Sequence, residues 1–120
     1  VDAHMGDMDI KTDQPPQGGG EGSAPTPFAL FLSSIGTCAG IYVLGFCKQR
    51  NIPTEGIQII QRMASDPFSG LIGKVELEIQ LPESFPEKYK DAVIRSANLC
   101  AVKKHFENPP RIEVTTNTIG

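Results

Sequence analysis

A chain of 120 residues, 39% hydrophobic and 21% charged, has the size of one compact domain (1–120) and is too short for two independent cores. Its formal net charge of -3 gives no positive field for phosphates or anionic lipid, which sets nucleic acid and membrane surfaces aside as partners. Three widely spaced cysteines without a CxxC pair are no disulfide framework and point to a reducing, cytoplasmic setting, and because the chain opens at Val1 a short N-terminal piece is expected to precede it.

Residues 1–13 have room for two short strands, around Ala3 to Met5 and Met8 to Lys11. Gln14 to Pro27 holds three consecutive glycines and four prolines, a loop of special backbone geometry leading into a helix. Thr26 suits the N-cap, Pro27 the first helical position, and Lys48 and Arg50 the C-terminal end of the dipole; Asn51 and Pro53 stop the helix. Phe28 to Cys47 carries no charge and is long enough to span a bilayer. Ser33, Ser34, Gly36, Thr37, Gly40 and Gly45 dilute its hydrophobicity, so a helix buried on most sides within a soluble domain is the preferred reading.

Ile57 to Ala64 is rich in β-branched residues, and Asp66 to Gly70 reads as a turn. Lys74 to Leu81 then alternates strictly, with Val75, Leu77, Ile79 and Leu81 on one side, as a half-solvated antiparallel strand requires. A second helix is expected from about Pro86 to Phe106, with Val93, Ala97 and Cys100 on its inward face. Arg111 to Thr116 alternates again and reads as a last strand.

Cys38 and Cys100 both fall on inward helix faces, where each is either a small core hydrophobe or half of a redox pair. Cys47 is half a turn away from Cys38 and reads as structural. No His or Cys spacing matches a metal site, neither histidine sits where it would activate a hydrolytic nucleophile, and Gly18-Gly19-Gly20 lacks the Lys-Ser/Thr of a phosphate loop. Gly36-x-x-x-Gly40 permits close approach of another helix, from this chain or from a partner.

The Gly19-Gly20-Glu21-Gly22 loop, Thr26-Pro27, an uncharged helix with Cys38 midway, and Asn98-Leu99-Cys100 on a later helix follow one another in an order that resembles the OsmC and organic-hydroperoxide-resistance family, from about Asp9 onward. The resemblance implies an α+β fold: an antiparallel β-sheet with a long central helix (about 27–50) and a second helix (about 86–106), in an intertwined homodimer. It implies thiol-dependent reduction of organic hydroperoxides without a metal or cofactor, with Cys38 attacking the peroxide, Cys100 resolving, and an external dithiol, such as a lipoyl-bearing protein, as reductant. Peroxidase members carry a glutamate where this chain has Phe28, and an arginine on an N-terminal strand where its only lysine or arginine is Lys11. Glu21 and Lys11 are the candidate substitutes. Phe28, Phe31, Ile35, Tyr42 and Phe46 are expected to line the substrate pocket. The alternative is an OsmC-like protein without peroxidase activity, binding a small apolar ligand or sensing redox state at the dimer interface.

Overall fold

The computed structural model describes residues 1–120 in the order β1 (Asp2–Met5), β2 (Met8–Lys11), α1 (Pro27–Gln49), β3 (Gln58–Ser65), β4 (Ile72–Gln80), α2 (Lys90–Ala97) and α3 (Ala101–Glu107). The α+β class holds. The strands form two separate antiparallel hairpins, β1–β2 and β3–β4, where one sheet was expected.

α1 begins as its sequence dictates. The Thr26 hydroxyl accepts a hydrogen bond from the Ala29 amide at 3.0 Å, and Pro27 opens the first turn. It ends in a Schellman motif: Asn51 adopts a left-handed φ of 55°, and the Ile52 amide returns to the Cys47 carbonyl at 2.9 Å. That reversal tucks Ile52 beneath the helix it has just left. Ile52, Val43, Phe46, Cys47, Phe85 and Val93 form the buried cluster, which sits at the C-terminal half of α1.

In β4 the alternation works as read: Val75, Leu77 and Ile79 are half-buried while Lys74, Glu76, Glu78 and Gln80 are exposed. Arg62 on β3 reaches Glu78 at 3.1 Å and Glu76 at 3.5 Å across the hairpin. The small residues of α1 receive this hairpin and not a second helix. A Cβ on Gly36 would stand 2.6 Å from Gln61 Oε1, and one on Gly40 would stand 3.7 Å from the Ile59 side chain. The Gln61 amide closes the contact by donating to the Leu32 carbonyl at 2.9 Å.

Two expectations are corrected. The second helix is not continuous over 86–106: a 3-10 turn (Glu87–Tyr89) leads into α2, which stops at Asn98, and α3 restarts after Cys100. Cys100 has φ -59° and ψ 140°, an extended conformation, and serves as the N-cap of α3. The last strand is also absent, and residues 108–120 have no regular structure. A strand needs a neighbour for its backbone groups, and Ile112 and Val114 stand 83% and 90% exposed with none beside them.

Candidate functional site

The break between α2 and α3 builds the site. The first amides of any helix lack intrahelical acceptors, and in α3 the intrahelical bonds begin with Lys104, whose amide meets the Cys100 carbonyl at 3.2 Å. Of the amides before it, Lys103 donates to Cys100 Sγ at 3.2 Å, while those of Val102 and Ala101 act on the Cys38 thiol of α1 and favour its charged form. One of these orphan donors, the Lys103 amide, is thereby satisfied by the Cys100 thiol.

These contacts set the electrostatics. The Val102 amide does most to hold the Cys38 thiol below its ordinary pKa; the Cys100 side chain, hydrogen-bonded to Cys38, and the Ala101 amide add to it, against the opposing effect of burial. Both thiols are free, and the Cys100 side chain is among the groups that favour the charged form of Cys38. Cys38 is half-buried and Cys100 is buried. Cys47 lies in the core at 0% exposure, where burial pushes its thiol up and the Arg50 charge only partly offsets that. Its placement agrees with a structural role.

No charged side chain contributes to the Cys38 shift. Lys11 lies exposed on β2 and faces Asp2 at 4.0 Å. Glu21 is exposed on the Gly-rich loop, its backbone amide held by Asp13 Oδ2 at 3.2 Å. The same Asp13 carboxylate also accepts from the Ser23 amide (3.0 Å), the Ser23 hydroxyl (2.6 Å) and the Gln14 amide (2.8 Å). Those bonds, the Ser23 hydroxyl first, hold Asp13 far below the usual carboxylate range. The loop is therefore a carboxylate-centred turn whose shape does not depend on Glu21's own side chain.

The expected substrate pocket does not assemble as a unit. Phe46 belongs to the core, edge-on to Tyr89 at 5.7 Å and covered by the Arg50 guanidinium at 3.7 Å. Phe28 and Phe31 stack on each other at 5.8 Å, and Phe31 meets Phe106 of α3 at 5.5 Å, forming an exposed aromatic group. Tyr42 offers α2 its backbone carbonyl, which accepts from the Ser96 hydroxyl at 3.3 Å. Of the five residues only Ile35 lines the cavity of about 810 Å³ between the apolar face of β4 and the helices α2 and α3. Cys100 is in its wall, and Cys38 is not.

Reading by residue type passes over the two features that matter most here, the Val102 and Ala101 amides and Lys103. Every residue but proline carries an amide, so nothing in the side chains marks those two. Lys103 had a signal, a cation three residues beyond a candidate cysteine, and Asn98 supplies the oxygen that holds its ammonium at 2.6 Å.

A model of the family described as OsmC-like protein matches residues 20–115. No curated protein matches the chain. Among solved structures, one from Psychrobacter arcticus 273-4, named for an osmotic stress induced and detoxification response protein, is similar over 87% of this chain and 84% of its own, with 22% identity and a TM-score of 0.62. An organic hydroperoxide resistance protein OsmC from Legionella pneumophila is similar over 84% of this chain and 75% of its own, at 18% identity and a TM-score of 0.49. The first of these shares the α+β fold.

Proposed function

The chain belongs to the OsmC-like protein family, and on that footing we propose that Cys38 and Cys100 carry out two-cysteine reduction of organic hydroperoxides. One feature supports the reading: the Val102 and Ala101 amides and the Cys100 side chain together hold the Cys38 thiol below its ordinary pKa. The thiolate is the nucleophile. It attacks the terminal peroxide oxygen, the O–O bond breaks, and the alkoxide leaves as an alcohol after taking up a proton. Cys38 is then a sulfenic acid. Cys100 displaces its hydroxyl as water, giving a disulfide that an external dithiol reduces.

The exposed aromatic group of Phe28 and Phe31, on the N-terminal part of α1, and Phe106 of α3 supports a preference for hydroperoxides with an apolar body over hydrogen peroxide. A homodimer is part of the same proposal. A compact monomer of 13.0 kDa exposes about 6,300 Å² and has a radius of gyration of about 13.6 Å, whereas this protomer exposes 9489 Å² with a radius of 18.2 Å. The excess, about 3,200 Å² on one protomer, exceeds the roughly 1,000–2,500 Å² that each subunit of most obligate dimers buries, as an extended protomer that intertwines with its partner would show, and Ile41 and Leu44, exposed on α1, are among the residues that need a cover. Sedimentation equilibrium at micromolar concentration should give twice the chain mass; a monomer would refute the dimer.

The catalytic test is hydroperoxide consumption with a dithiol reductant. Cys38→Ser abolishes turnover, and Cys100→Ser stops after one turnover with the sulfenic acid of Cys38 trapped by dimedone. The lack of any charged side chain acting on Cys38 favours a second reading, a redox sensor or apolar-ligand protein. Wild-type protein that forms the disulfide with a chemical oxidant but consumes no hydroperoxide would select that reading.

A further inference from the structure

α3 is tied to the rest of the molecule by little. It has seven residues, none of them buried, and a helix that short is marginal in water unless something packs on it. Its side-chain hydrogen bonds stay within residues 98–107: the Lys103 ammonium to Asn98 at 2.6 Å, the Lys103 amide to Cys100 Sγ at 3.2 Å, and His105 Nδ1 with the Ala101 carbonyl oxygen at 2.6 Å. None of these reaches α1. Away from the cysteines, α3 meets α1 through an aromatic contact, the Phe106 ring lying 5.5 Å from that of Phe31, which in turn stacks on Phe28 at 5.8 Å.

Spacing along the two helices links that contact to the thiols. Phe31 and Cys38 are seven residues apart, so they share one side of α1, two turns and about 10 Å from each other. Cys100 and Phe106 are six apart, about 9 Å at the same rise. With Phe106 on Phe31, an α3 that runs antiparallel along this side of α1 brings its Cys100 end level with Cys38. Ile35, between Phe31 and Cys38 on α1, borders the same cavity as Phe106 and Cys100, as that register requires. Resting on the two-cysteine reading above, we propose that Phe106 is a positioning residue for Cys100: its ring, held by Phe31, docks α3 on α1 and so keeps the Cys100 thiol opposite Cys38 for disulfide formation. Phe106 touches neither sulfur and acts through the helix that carries it.

The experiment uses the whole chain and does not depend on hydroperoxide turnover. The protein is equilibrated with reduced and oxidised glutathione, quenched in acid and mapped by mass spectrometry for the Cys38–Cys100 disulfide. Each disulfide formed converts one oxidised glutathione into two reduced ones, so the equilibrium constant measures the effective concentration of one thiol about the other. Phe106→Ala should lower it about threefold to tenfold, the worth of one aromatic pair, and should speed hydrogen exchange at the Lys104 to Glu107 amides of the reduced protein. Phe106→Tyr, whose hydroxyl reaches water at this exposed position, should restore it. Phe31→Ala should lower it as well, and the double variant Phe31→Ala/Phe106→Ala no further than the larger single loss. An unchanged constant in Phe106→Ala, no recovery in Phe106→Tyr, or additive losses in the double variant overturns the inference and leaves the two-cysteine reading standing. A wild-type chain that forms no Cys38–Cys100 disulfide at any glutathione ratio overturns both.

Discussion

Limiting iodoacetamide, added to the reduced protein, separates Cys38 from Cys47 by a factor that follows from their surroundings. Alkylation runs through the thiolate. Cys38 is half-buried and ionises below the ordinary thiol value because the amides of Val102 and Ala101 and the Cys100 side chain favour its charged form. Cys47 is 0% exposed among Val43, Phe46 and Val93, and burial pushes its thiol up. It reacts only when the core opens. For a domain of about 5 kcal/mol, the low end of the usual range, the open fraction is roughly 1 in 5,000. Cys38 should therefore be labelled at least about a thousandfold faster, read by peptide mass spectrometry over a time course. Ala101→Pro refines the test, because Cys100 already has the extended backbone that a residue before proline requires and position 101 opens α3. One amide is lost while the helix stays, so the labelling profile of Cys38 should move to higher pH. Labelling of Cys47 within tenfold of Cys38, or a profile that moves to lower pH, would refute the reasoning.

Gly20→Ala should loosen the loop before α1, since its Cβ would fall 2.1 Å from the Gln14 carbonyl oxygen and 2.4 Å from Asp13 Oδ1. Faster hydrogen exchange at the Glu21 and Ser23 amides is the expected result, and unchanged exchange would count against it. The Asp13 clamp has a sign as well: its folded pKa is depressed, so its contribution is complete above the unfolded carboxylate pKa and is lost only as pH falls toward the folded value. Protection of those two amides should thus persist at pH 4 in wild type and vanish in Asp13→Asn. Val93→Ala removes two methyl groups from a site with 0% exposure and should cost about 2 kcal/mol in urea denaturation; a loss below about 0.5 kcal/mol would mean that α2 is not packed on the core.

What could be read from the chain was whatever depends on neighbours in sequence. Thr26, Pro27 and the uncharged run after them define α1 because capping and helix periodicity act over a single turn. The alternation in β4 names its buried face for the same reason. The candidate cysteines were legible by residue type, and the family by the order of short motifs. Tertiary structure decided the rest. Periodicity carried the second helix straight through Cys100, yet the chain stops at Asn98 and restarts, because the Cys100 sulfur caps α3. Arg111 to Thr116 has a strand's alternation and no strand, since pairing requires a partner that no local pattern can supply. Phe46 shares a helical side with Cys38 but is claimed by Tyr89, brought to it by the approach to α2, and by Arg50 one turn further along α1. The same holds for the chemistry at Cys38: its sequence neighbours are uncharged, and the groups that favour its thiolate, chiefly backbone amides with no side-chain signature, lie more than sixty positions away and are brought there by packing.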